Sequence, residues 1–177
     1  MNCCCEDKKN VKLVFRREQL LYDIGNYAFV EGDLLGDDAE HIAHQVKDIV
    51  EDGNVDRVTR VLNLAHTECV EMLYPYTKKA LGEDEVMDDT LEIPDTYEIE
   101  MTVPATFART TMLLLVQSIH EYMVCRVLQD WLSMTSVQSA PVWDDKLQRI
   151  KKKIQSALLS RMRYVRRKLK PFGGSAY

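Results

Sequence analysis

Turn-forming residues are scarce: the 177-residue chain holds only 7 glycines and 5 prolines. That scarcity argues against a turn-rich β architecture and favours helices. Long apolar runs are missing as well. The longest, Met112 to Val116, falls far short of the ~20 residues a membrane-spanning helix needs. The N-terminal stretch Met-Asn-Cys-Cys-Cys-Glu-Asp-Lys-Lys has none of the apolar character of a secretory signal, so the chain is expected to stay in the cytoplasm of the cell that makes it. An odd count of 5 cysteines excludes a complete disulfide framework. Cys69 and Cys125 fall on apolar helical faces and read as small core hydrophobes. Cys3, Cys4 and Cys5 read as part of a frayed terminus. A soft-metal site there would need a further Cys or His nearby, and the sequence supplies none.

The signatures of catalysis are also missing. No Gly-x-Ser-x-Gly elbow, Walker loop, dinucleotide fingerprint, His-Glu-x-x-His motif or EF-hand loop occurs. His41 and His44, three apart, share a helix face but lack the neighbours a metal site requires. His120 and Glu121 are adjacent, hence about 100° apart around a helix, and do not converge on one substrate. No catalytic residue, metal ligand or cofactor is assigned, and an enzyme is not expected.

What is present is a core's worth of hydrophobic residues, 46%, arranged at helical spacing. A first helix is read from Phe15 through Leu20, Ile24 and Val30, closed by Gly32 and Gly36. A second starts at a capping box of Asp37 and Glu40 and runs to about Val50. Asn54 is placed to cap a third, whose stripe Val58, Leu62, Ala65, Cys69, Met72 and Tyr76 predicts an end near Tyr76 to Ala80. Alternation in Leu91, Ile93, Tyr97, Ile99, Met101 and Val103, split by Pro94, predicts a small β-hairpin or a pair of strands. A long helix from about Thr106 and another from Pro141 are joined by a short link and predict an antiparallel pair. Trp131 and Trp143 flank that link, either as core or as partner anchors. The expected fold is mainly α: a helical bundle with a long C-terminal αα-hairpin and a small β-hairpin insertion. Residues 1–12 form a flexible lead-in, 13–170 a single helical domain with strands near 90–103, and 171–177 a tail.

Charge is the clearest global signal. Residues 1–145 hold 12 basic and 28 acidic side chains, whereas residues 146–177 hold 11 basic and none acidic. The segment 83–100 carries nine carboxylates and no basic residue. Such a split points to a complementary protein, an anionic surface or nucleic acid, with a merely solvated face as the plain alternative. The candidate interaction residues are Glu83, Asp84, Glu85, Asp88 and Asp89 at the acidic pole. At the basic pole they are Arg161, Arg163, Arg166, Arg167, Lys168 and Lys170. Pairing the acidic patch of one copy with a basic helix of the next is heterologous, and closes into a ring or runs on as a filament.

The segments Gly53-Asn-Val-Asp-Arg-Val-Thr-Arg, Glu68-Cys-Val-Glu-Met-Leu-Tyr-Pro-Tyr-Thr-Lys, Ile119-His-Glu-Tyr, Val127-Leu-Gln-Asp-Trp-Leu and Arg166-Arg-Lys-Leu-Lys-Pro-Phe together carry a resemblance over residues 15–172. The chain resembles small virion proteins of tailed phages and prophages of Bacteroides-type bacteria, themselves similar to head-tail connector (adaptor) proteins. The resemblance implies a helical subunit of a homo-oligomeric ring, usually twelvefold, at the neck of the virion beneath the portal. Its implied partners are itself, the portal protein and tail or neck proteins, with passing contact to DNA and no membrane. It transfers no functional residue. The alternative is a nucleic-acid-binding or regulatory protein using the basic C-terminal helix.

Overall fold

Val11, Leu13 and Phe15 alternate with Asn10, Lys12 and Val14, a period of two that suits a strand with one buried face. In a computed structural model of the chain, which describes residues 8–35, 40–82, 85 and 87–159, this segment is strand β1 (Lys8–Arg16). Its antiparallel partner is β2 (Thr96–Pro104), with Leu13 opposite Ile99, Phe15 opposite Tyr97 and Val11 opposite Met101. The inward side chains of both strands are buried in the core, apart from a half-buried Val11 and an exposed Lys9. Each fully buried large apolar side chain contributes roughly 1.5–3 kcal/mol. On the outer face Lys12 meets Glu98 at 2.6 Å.

Two expectations are corrected here. Residues 8–12 belong to a strand, and β2 pairs with β1 rather than with residues 91–93. The run Leu91–Ile93 offers only two alternating apolar residues before Pro94. β1 offers a longer apolar face and, on the other side, lysines and arginine to meet the carboxylates of β2. Residues 91–93 instead run outside the sheet, where the Asn63 side-chain amide donates to the Glu92 carbonyl at 2.9 Å.

β1 passes directly into helix α1 (Arg17–Leu34). No side chain caps the helix, and the Arg17 N–H donates to the Asp95 carbonyl at the start of β2. Leu20, Ile24, Ala28 and Gly32 form its buried stripe. Gly32 therefore lies inside the helix rather than closing it. A Cβ there would stand 2.7 Å from the Lys47 side chain and 3.0 Å from the Ala43 carbonyl, so the glycine sets how closely α1 meets α2 (Glu40–Lys47). Asp37 and Gly36 lie outside the described residues. A 3-10 turn, Asp48–Val50, follows α2 and buries Ile49.

Helix α3 (Val55–Met72) buries Val58, Leu62, Ala65 and Cys69, the expected stripe. It stops at Met72, short of Tyr76, because the residue before a proline is pushed out of the helical region and Pro75 follows Tyr74. Asn54 does not cap α3 with its side chain, which donates instead to the Asp48 carbonyl at 2.9 Å.

Helix α4 (Arg109–Thr135) is buried around most of its girth from Ser118 to Leu132, and α1, α3 and helix α5 (Ala140–Leu159) all pack on it. Trp131 donates to the Val46 carbonyl at 3.2 Å, and Trp143 to Glu31 Oε1 at 3.0 Å. Both indoles are buried, which resolves them as core residues. The chain is thus mainly helical with one small two-stranded antiparallel sheet among the described residues. None of the described helices is long and apolar enough to cross a membrane.

If the N-terminal strand belongs to the core, Leu13→Ala lowers unfolding stability by about 2–4 kcal/mol. Urea denaturation followed by circular dichroism checks this; a loss below about 0.5 kcal/mol would return the segment to a lead-in.

Candidate interaction surface

The acidic segment divides in two. Its C-terminal carboxylates are used internally: Glu98 pairs with Lys12, and Glu100 pairs with Lys79 at 2.7 Å, a contact that holds the Glu100 carboxyl below its ordinary range. Its N-terminal carboxylates meet no cation among the described residues. Glu85, Asp88, Asp89 and Glu92 are exposed and form no ion pair with any described residue. Glu85 accepts the Gly82 N–H at 3.1 Å and Asp88 accepts the Thr90 N–H at 3.0 Å, so two of them shape their own loop. Leu81, Met87 and Ile93 stand out beside them, 77%, 73% and 56% exposed. Glu83 and Asp84 lie outside the described residues.

Of the basic pole, Arg161, Arg163, Arg166, Arg167, Lys168 and Lys170 lie outside the described residues. The described part of α5 presents Lys152 and Lys153 to solvent, and Arg149 pairs with Asp145 one turn back. Lys146 behaves differently. It reaches Glu121 on α4 at 2.5 Å and lies over the rings of Tyr27 and Trp143, 4.4 and 4.7 Å from their centroids. Burial works against its charge, but the Glu121 bond and neighbouring groups outweigh burial and raise its pKa. The Tyr27 hydroxyl donates to the same carboxylate at 3.2 Å, so one network ties α1, α4 and α5. Beneath it the Cys125 thiol is pushed up to about 12 by burial, and burial likewise raises Cys69. Both are inert core groups.

The histidines are dispersed. His41 and His44 lie exposed on α2, near Gln45 and Glu40. His120 meets Asp23 on α1 at 2.7 Å, while its neighbour Glu121 serves Lys146, so the adjacent pair acts in two separate contacts. His66 is half buried and tilted against Tyr97, with Nε2 3.1 Å from the Glu98 carbonyl. A carbonyl only accepts, so Nε2 carries the proton. On the far side of α4, Glu68 accepts from the Tyr122 hydroxyl at 2.7 Å and faces Arg126 at 3.6 Å.

One feature was not legible in the charge pattern. The outer edge of β2 is occupied: the Thr102 N–H donates to the Tyr76 carbonyl at 2.8 Å, and the Glu98 carbonyl takes the His66 proton. The outer edge of β1 is open among the described residues. Beside it runs an open groove of about 790 Å³, walled by Val14 to Arg16, α1 at Asp23, Tyr27 and Val30, and α4 at Val116 and His120. Edge exposure follows from which strand pairs with which, and the cations of residues 8–16 take on that meaning only once the pairing is set.

No family model, curated protein or solved structure matches the chain.

Two measurements bear on this wiring. Burial lowers the His66 pKa below its ordinary value, so the unfolded chain binds the proton more tightly. Stability is then full above about pH 6.5 and falls as the pH drops toward the folded-state value. His66→Asn should flatten the stability profile between about pH 7 and pH 5, and an unchanged slope would assign it to other groups. Lys146→Met leaves Glu121 with no cation, only the Tyr27 hydroxyl and the Cys125 thiol, and should cost about 1–2 kcal/mol in chemical denaturation. No loss would mean that the contact is energetically idle.

Proposed function

We propose that this chain is a structural, non-enzymatic virion protein of a tailed bacteriophage, a head-tail connector (adaptor) subunit that assembles into a ring at the neck between portal and tail. The observation that carries this reading is the row of exposed carboxylates Glu85, Asp88, Asp89 and Glu92, which meets no cation among the described residues, whereas Glu98 and Glu100 further along the same acidic segment are paired with Lys12 and Lys79. A charge surplus left on one side of a well-packed body favours association with a complementary surface and disfavours like-charged contacts. The sequence places the complement, 11 basic and no acidic residues, at the opposite end of the chain. In a ring of identical subunits the two poles serve different contacts. The acidic segment faces a neighbouring subunit, and the basic end docks the portal or borders the channel through which DNA passes. The same chain waits in the host cytoplasm before assembly.

The helical body supports this role in a second way. Three helices clamped on α4 by a buried apolar core and by the Glu121–Lys146 and Glu68–Arg126 contacts make a stiff block, the kind of subunit whose assembly costs little internal ordering.

Two experiments test the reading together. Multi-angle light scattering of the full chain, alone and with the portal protein of the same phage, should show a ring-sized species at about 0.05 M salt that weakens at about 0.5 M. Mass spectrometry of purified particles should find the chain in the virion. A strict monomer in both mixtures, together with absence from the particle, would overturn the proposal, and tight DNA binding by that monomer would favour the nucleic-acid reading.

A further inference from the structure

The open edge of β1 has a defined hydrogen-bonding pattern. In an antiparallel pair, opposite residues either point their N–H and C=O groups at each other or both point them away. Thr102 and Glu98 direct theirs away from β1, toward Tyr76 and His66. Their partners in register, Asn10 and Val14, therefore direct theirs away from β2, and so does Lys12 between them. The backbone groups of Asn10, Lys12 and Val14 bond no described residue. A row of unpaired donors and acceptors on a nine-residue strand is a template for a further strand.

The side chains around this edge select what fits. On the outer face stand Lys8, Lys12 and Arg16; on the inner side the edge adjoins the groove containing Val30 and Val116. A second β1 would set lysines against lysines. A matching strand presents carboxylates on one face and apolar residues on the other. Residues 87–93 of this chain have that pattern: Met87, Leu91 and Ile93 at odd positions, Asp88 and Glu92 at even ones. Asp89 is the one inward position that departs from it. The segment is not a strand in the subunit, Met87 and Ile93 are exposed, and two hydrogen bonds are to be released, from the Asn63 amide to the Glu92 carbonyl and from the Thr90 N–H to the Asp88 carboxylate. At about 3.4 Å per residue, seven residues span about 24 Å, within the length of the nine-residue edge.

We infer that residues 87–93 of one copy add to β1 of a second copy as a third, antiparallel strand, with Asp88, Thr90 and Glu92 opposite Val14, Lys12 and Asn10, so that the two carboxylates lie diagonal to Lys8, Lys12 and Arg16, and with Met87 turned toward the groove and Leu91 beside the half-buried Val11. The contact is heterologous: donor segment and acceptor edge are different surfaces, so each subunit gives one strand and receives one, as a closed ring requires. This inference rests on the self-assembly reading above and supplies its interface.

The parity of the hydrogen bonds makes it testable. In antiparallel pairing, residues 88, 90 and 92 lie opposite Asn10, Lys12 or Val14 and point their N–H groups at β1, whereas 89, 91 and 93 point theirs away. A labelled peptide of residues 87–94 is titrated into dilute full-length chain by fluorescence anisotropy. Saturable binding is expected, weakened roughly tenfold or more by N-methylation at 88, 90 and 92 and little by N-methylation at 89, 91 and 93. Lys12→Pro removes one edge N–H without touching the β1–β2 ladder and should weaken binding comparably, with Lys12→Ala as the charge-only control. Should the proline variant fail to fold, the methylated peptides still decide. Absence of saturable binding, or equal binding of both methylated peptides, overturns the strand-addition inference. A ring that forms and is not competed by the peptide overturns this interface while leaving the virion reading standing. A peptide that binds as expected to a chain absent from purified particles does the reverse.

Discussion

Helix α4 is the element on which the other long helices rest. From Ser118 to Leu132 it buries residues on nearly all sides, Ile119, Met123, Val124, Cys125, Leu128 and Leu132 among them. A helix apolar around its girth is stable in water only when neighbours cover it completely. α1, α3 and α5 provide that cover, and Trp131 is fastened by a hydrogen bond to the end of α2. The polar links sit where the cover meets solvent: Asp23 to His120, Tyr27 and Lys146 to Glu121, Tyr122 to Glu68. Such partly exposed contacts contribute less than the core, but they fix the rotation of each helix against α4.

How far this was legible in the sequence depends on the range of the interaction. The stripe Val58, Leu62, Ala65 and Cys69 is local and repeats at helical spacing, and α3 follows it until Pro75 intervenes. The strand pair is not local. β2 was readable from Tyr97, Ile99, Met101 and Val103, yet its partner lies some eighty residues back in register, Arg16 opposite Thr96. Pattern reading favours the nearest alternating run, here Leu91 and Ile93. The decisive sign was Lys12 set opposite Glu100 and paired with Glu98, a cross-strand complement that becomes meaningful only once a register is set.

The candidate site was legible in part for the same reason. Counting charge along the chain grouped nine carboxylates into a single acidic segment. Folding separates them, because Glu98 and Glu100 receive Lys12 and Lys79 as partners while Glu85, Asp88, Asp89 and Glu92 meet none among the described residues. The basic residues from Arg161 onward lie outside the described residues, so their part in the charge polarity stands on sequence. Spacing did show that His120 and Glu121 serve different contacts, since adjacent helical positions diverge. It could not tell whether Trp131 and Trp143 were core or anchor, which depended on where α2 and α1 would lie.

An open edge strand is a hazard for any protein, and the composition of β1 bears on how this one is managed. Lysine along an edge deters copies of the same strand from pairing with it, because like charges placed directly opposite destabilise the pair. Lys8, Lys9, Lys12 and Arg16 place four cations on nine residues. The same charges that repel another β1 attract a strand bearing carboxylates at alternate positions, so protection and selectivity arise from one set of side chains. Fully polar edges would achieve the first and not the second. Val14 breaks the basic row, and it does so beside the groove, where an incoming apolar residue gains contact with Val30 and Val116. Repulsion along most of the edge and apolar contact at one end together restrict what binds there to an extended, acidic and amphipathic segment.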